Sequence, residues 1–122
     1  MDGALNDYNE AIRLKPDFSS PYYNRGILRY VKGDLDGAIT DYNEAIRIKP
    51  DYADAYYNRG NTRKAKGDLD RAFKDFTEAI RLKPDFADVY AVRGTIRQNK
   101  GDLDGAIKDY TEAIRLKPDY AE

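Results

Sequence analysis

The sequence predicts an all-α superhelical solenoid of seven helices: one unpaired second-type helix, then three helix-turn-helix repeats. Three observations predict it: a strict internal period, apolar stripes at helical spacing within each period, and helix-ending signals between the stripes. Lys-Pro-Asp stands at residues 15–17, 49–51, 83–85 and 117–119, 34 residues apart each time. The three units so defined are identical at 18 of 34 positions, and a fixed period of this length marks stacked supersecondary units. They divide the 122-residue chain into a half repeat at 1–16, repeats at 17–50, 51–84 and 85–118, and a tail or start of a truncated further repeat at 119–122.

The second half of each repeat carries the clearer helix. In the first it presents Leu35, Ala38, Ile39, Tyr42, Ala45 and Ile46, one apolar stripe at the period of an α-helix. Gly33 can end the preceding helix in a left-handed conformation, and the Asp34 side chain can accept from the first free amides of the next. Pro50 stops the helix, because it has no amide proton to continue the ladder. The first half, roughly residues 20–32, is more polar, with Tyr22, Gly26 and Arg29 on one face. Ser20-Pro21 reads as a cap with proline in the first turn, and the equivalent helices are predicted to start at Asp51 and Asp85. Asp2-Gly3-Ala4 matches Asp36-Gly37-Ala38, so residues 2–16 form a second-type helix without its first-type partner. Gly26, Gly60 and Gly94 each sit inside a first-type helix, where glycine costs about 1 kcal/mol relative to alanine. The predicted compensation is close approach of the paired helix, with Ala38, Ala72 and Ala106 as the facing residues.

Composition excludes several function classes. The formal net charge is −1, with charged residues at 35% and both signs interspersed. A nucleic-acid-binding chain carries a basic excess instead. There is no cysteine, histidine or tryptophan, which removes disulfides, thiolate metal sites, the commonest general base and the commonest zinc ligand. The Gly-Asp-Leu-Asp-Gly at 33–37 and 101–105 is an inter-helix turn rather than a phosphate loop. Asp34 and Asp36 lack the loop length and terminal glutamate of an EF-hand calcium site. The expectation is therefore no enzyme, no cofactor, no metal, and neither a nucleic acid nor a membrane as partner. No apolar run approaches the ~20 residues that span a bilayer, and the N-terminus lacks the regions of a signal peptide. A cytoplasmic protein is expected, or a fragment of a larger one.

Within each repeat, Tyr22, Gly26, Ala38, Tyr42 and Pro50 recur as Tyr56, Gly60, Ala72, Phe76 and Pro84, then as Tyr90, Gly94, Ala106, Tyr110 and Pro118. This pattern resembles the tetratricopeptide repeat (TPR) family, in a prokaryote-like form with Asn-Arg-Gly in the first helix at 24–26 and 58–60. One departure stands out. Arg25, Arg59 and Arg93 replace the family's apolar residue before the glycine, and Arg29, Arg63 and Arg97 replace an aromatic after it. Two readings follow. Asp41, Asp75 and Asp109 recur in step on the second helix, so the arginines form ion pairs joining the two helices; alternatively they make a stripe for an acidic ligand.

The resemblance implies a non-catalytic protein-protein interaction module that binds an extended peptide or protein in a concave groove lined by the first helix of each repeat. The groove residues it implies are Tyr23, Asn24, Ile27, Tyr30 and Val31 in the first repeat. In the second they are Asp54, Tyr57, Asn58, Asn61 and Lys64; in the third, Asp88, Ala91, Val92, Thr95, Gln98 and Asn99. One TPR subgroup clamps the C-terminal carboxylate of chaperone tails with lysines, an arginine and asparagines. This chain keeps Asn58 in a matching place, but Tyr23 and Ile27 replace a lysine and an asparagine, and Asp88 and Val92 stand where basic residues are needed. A neutral or mildly basic ligand is expected. The alternative function is a self-stacking scaffold that associates weakly through uncapped ends.

Overall fold

The computed structural model describes residues 2–118, except the side chain of Asp2; Met1 and the tail at 119–122 lie outside the described residues. The described residues form seven helices and no strand: α1 (Asp2–Leu14), α2 (Ser19–Val31), α3 (Leu35–Ile48), α4 (Ala53–Ala65), α5 (Leu69–Leu82), α6 (Ala87–Asn99) and α7 (Leu103–Leu116). Each helix packs on those before and after it, and α2 also reaches α4. This is an all-α helical-repeat solenoid.

The turns inside the pairs α2–α3, α4–α5 and α6–α7 are built alike. Gly33, Gly67 and Gly101 hold φ of 88°, 86° and 84°, a region that L side chains avoid. Asp34, Asp68 and Asp102 then cap α3, α5 and α7, each carboxylate accepting from the backbone N–H of Gly37, Arg71 or Gly105.

The first-type helices start differently from expectation. Their N-cap residues are Phe18, Tyr52 and Phe86, none with a side-chain cap hydrogen bond. Neither Ser20, Asp51 nor Asp85 takes that place. At α4 and α6 the aromatic has a seat on the preceding repeat: Tyr52 lies 4.8 Å from Tyr23 between ring centroids, and Phe86 lies 4.9 Å from Tyr57, whereas Phe18 at α2 is exposed. Burying a ring outweighs one hydrogen bond at an exposed helix end.

Second-type helices supply the core. Ala38, Tyr42 and Ala45 of α3 and Ala72, Phe76 and Ala79 of α5 are buried. Around α5 the core continues into Val89 and Ile96 of α6, flanked by Tyr56, Tyr57, Phe73, Ile80 and Val92. Facing them, the helical glycines meet rings rather than the expected alanines. A Cβ on Gly26 would stand 2.7 Å from Tyr42 Cε1, and one on Gly60 2.7 Å from Phe76 Cε1. At Gly94 the nearest atom is Tyr110 Cε1, at 3.0 Å. At the first end of the array, α1 has no buried residue; Leu5, Tyr8, Ala11 and Ile12 are only half-buried.

Candidate functional site

The arginines and aspartates come together at the joint of each repeat. Asp41 accepts from Arg25 Nε at 2.9 Å, from the second Arg25 nitrogen at 2.6 Å and from Arg29 at 3.0 Å. Asp75 holds Arg59 and Arg63 in the same way, at 3.0, 2.7 and 2.9 Å. Asp109 holds Arg93 and Arg97 at 3.0, 2.8 and 3.1 Å. Such forked, charge-assisted bonds are the stronger kind. The carboxylates are buried, and each first arginine also lies against an aromatic ring, Tyr22, Tyr56 or Tyr90. Its remaining nitrogen reaches back to the previous repeat: Arg25 to Asn9 at 2.9 Å, Arg59 to Asn43 at 2.8 Å, Arg93 to Thr77 at 3.4 Å. With every guanidinium engaged inside the fold, the geometry is that of a helix joint, not of an open arginine stripe.

The polar residues implied for the groove divide into two sets. The first is spent inside the molecule. Asn58 donates to the Tyr23 hydroxyl at 2.7 Å and to the Asp54 carbonyl at 3.1 Å. Burial pushes the Tyr23 phenol up to about 12, with Asp54 and Tyr52 adding to the shift and the Asn58 bond opposing it. In the third repeat the Tyr110 hydroxyl donates to Gln98 at 2.9 Å and meets Thr95 at 3.0 Å, so both groove residues fix a ring rather than face a ligand.

The second set is open. Asn24, Asn61 and Lys64 have no hydrogen-bond or ion-pair partner among the described residues. Asn61 and Lys64 line a hollow of about 190 Å³ with Tyr30, Tyr42, Asn58, Thr62 and Ala65, where α2, α3 and α4 meet. Its floor is rigid. Thr62 donates to the Asn58 carbonyl at 2.8 Å, and burial raises the pKa of the Tyr42 phenol, an effect that Thr62 opposes. Tyr42 read as core and Thr62 was not singled out; the signal that marks both is that they are polar at buried phases of their helices. Ile27 is half-buried beside this hollow's helix, and Tyr57 is tied into the seam with Phe86 and Phe76. No group of three or more Asp or Glu side chains that would hold a metal ion occurs among the described residues, and no helix there is long and apolar enough to cross a membrane.

A helical-repeat array with a rigid joint in every unit and a polar hollow between units defines a repeat protein of the interaction-scaffold class. The sequence pattern described as TPR repeat matches residues 1–33 and 28–67, and that described as tetratricopeptide repeat matches 53–86 and 87–120. The chain belongs to the tetratricopeptide repeat family, whose members are generally non-catalytic interaction modules. No curated protein matches it in sequence. Among solved structures, one crystal structure of MamA is similar at 26% identity and a TM-score of 0.88, covering 96% of this chain and 68% of that one. Another MamA structure is similar at 27% and 0.86, covering 98% and 66%, so the chain spans about two thirds of their length. The first TPR domain of Spaghetti (RPAP3), solved bound to the HSP90 peptide SRMEEVD, shares the fold at 24% identity and a TM-score of 0.78, covering 82% of this chain and 79% of that one.

Proposed function

We propose that the chain binds an extended peptide segment of a partner protein along the face formed by α2, α4 and α6. The observation that carries this is the hollow of about 190 Å³ in which the Asn61 amide and the Lys64 ammonium face outward unpaired. An amide offers one acceptor and two donors, which suits a peptide backbone whose own groups alternate. The rigid Tyr30 ring beside it gives contact area at little entropic cost. Lys64 takes a carbonyl or acidic side chain entering the hollow, while Asp54 and Asp88 favour a neutral or basic residue at the other rim. The ligand is therefore close to neutral overall, and binding depends only modestly on salt. The RPAP3 domain holds a peptide rich in acids; here Asp88 and Val92 offer no positive charge to a second carboxylate.

The test is fluorescence anisotropy with a panel of labelled extended peptides, neutral, basic and acidic-tailed, against the parent chain and an Asn24→Ala, Asn61→Ala double variant. Losing two such hydrogen bonds weakens binding by about tenfold, with no change in unfolding midpoint because neither amide has a partner in the fold. Acidic C-terminal tails binding best, or a double variant that binds every hit unchanged, would refute the assignment.

A further inference from the structure

We propose that this 122-residue chain associates head to tail with a second copy, α7 of one copy displacing α1 of the next and taking its seat on α2. The inference is independent of the groove. It rests on the two ends of the array being nearly the same helix. Residues 2–16 and 104–118 are identical at 12 of 15 positions, so the surface of α2 that α1 covers is also a surface that α7 fits.

The interior of the molecule displays the joint that would form, since α3 on α4 and α5 on α6 repeat it. Three contacts define it, and α7 supplies each. The first is the bond from the leading arginine to the previous repeat. Arg25 reaches Asn9 of α1 at 2.9 Å, and in α7 the same phase holds Thr111; Arg93 on Thr77 at 3.4 Å shows that threonine accepts this bond. The second is a lysine-aspartate link between units, Lys66 with Asp36 and Lys100 with Asp70. Asp104 stands at that phase of α7 without a partner among the described residues, and Lys32 is the lysine of that phase on α2. The third is apolar. Phe73 lies 5.9 and 5.3 Å beneath the guanidinium groups of Arg93 and Arg97; Ile107 holds its phase on α7 and is 62% exposed.

Exchange is favoured because α7 arrives with α6 packed behind it, whereas among the described residues α1 packs on α2 alone. Inside the array each N-cap aromatic rests on the first-type helix of the previous repeat, as Tyr52 does on Tyr23 and Phe86 on Tyr57. Phe18 has the same phase but no aromatic partner among the described residues, only the Lys15 ammonium 4.9 Å from its ring centre, and is 55% exposed. The residue that would receive it is Ala91 of α6, the counterpart of Tyr23 and Tyr57. Ala91 lines a hollow of about 260 Å³ with Tyr110, Ala113 and Ile114. A small residue where the other repeats have tyrosine leaves that hollow for the ring. The displaced α1 gives up only half-buried side chains. The contact is between two different surfaces, so it repeats from copy to copy into an open series.

Sedimentation over a range of concentrations tests this, with two single variants and hydrogen exchange. The parent's mean mass should rise with concentration without a plateau. Ile107→Lys, which sets an ammonium against Arg25 and Arg29 of the next copy, should weaken association about tenfold. Ile12→Asp loosens α1 and leaves α7 intact, so it should strengthen association; simple contact between the end helices predicts the opposite. On association of the parent, amides of α1 should lose protection while those of α7 gain it. A monomer at every concentration, an Ile107→Lys chain that associates like the parent, an Ile12→Asp chain that associates no better, or an α1 that keeps its protection would each overturn the proposal.

Discussion

Asp75 is buried and accepts three hydrogen bonds from Arg59 and Arg63. A buried carboxylate is tolerable only with such compensation, and removing one partner leaves a charge that water cannot reach. Asp75→Leu and Arg59→Met are each expected to cost about 2–4 kcal/mol in urea unfolding, and the double variant less than their sum. Additive losses, with coupling under ~0.5 kcal/mol, would mean that the pair is not a unit. The glycine contacts give a second residue-scale expectation. At Gly60 a methyl group would stand 2.7 Å from the fully buried Phe76, whereas at Gly94 it meets the half-buried Tyr110 at 3.0 Å. Gly60→Ala should therefore destabilise by about 1–3 kcal/mol despite its better helix propensity. Gly94→Ala should be milder, because its closest contact is longer and falls on a ring at the less enclosed end of the array. Equal midpoints for the two would show that ring packing does not decide the matter. The arginine-aspartate partnership was legible in the sequence because both residues recur in step. That the glycine meets a ring rather than the alanine was not, since period alone gives a face and not the depth to which a neighbouring side chain reaches.

At the scale of the helix, the two kinds of start follow two kinds of physics. Second-type helices begin with an aspartate whose carboxylate accepts from a free amide, after a glycine at positive φ. Local sequence specifies this completely, which is why Gly33 and Asp34 could be read directly. The first-type helices α4 and α6 begin on an aromatic whose reward lies in another repeat. Its only sequence signal is the recurrence of Phe18, Tyr52 and Phe86 at the period, and the adjacent Asp51 and Asp85 offer a misleading local cap. The polar residues that the family pattern implied for a groove were legible only in part: their recurrence on one helix could be read, but which amides are spent internally depends on the spacing between α2 and α4. Substitutions separate the two starts. Asp68→Ala should cost about 1 kcal/mol through its lost cap. Phe86→Ala should cost about 3 kcal/mol or more, as a ring removed from packing, and Asp85→Ala close to nothing. An Asp85→Ala loss matching that of Asp68→Ala would restore the aspartate as the cap.

For the whole molecule, stability is a sum over neighbours. Packing runs mainly between successive helices, α2 also reaching α4, and among the described residues no substantial packing joins the two ends. In such an array each repeat is held by its own core and by the seams on either side. The seams are unequal. From α3 to α6 every helix has a packed neighbour on either side, and Tyr42, Phe76, Val89 and Ile96 are buried. At one end α1 has no buried residue; at the other, α7 leaves Leu103 and Ile107 about 60% exposed, and its ring Tyr110 is only half-buried. Opening should therefore start at both ends and reach the middle last. In dilute solution, amide protection should peak in α4 and α5 and fall toward α1 and α7. Phe76→Ala removes a ring from the centre, breaks both seams at once and should lower protection throughout. Tyr110→Ala, with the same chemistry at the rim, should lower it in α6 and α7 and leave α3–α5 within experimental error. Uniform protection in the parent, or equal spread of the two effects, would show a single cooperative unit in place of a chain of coupled repeats.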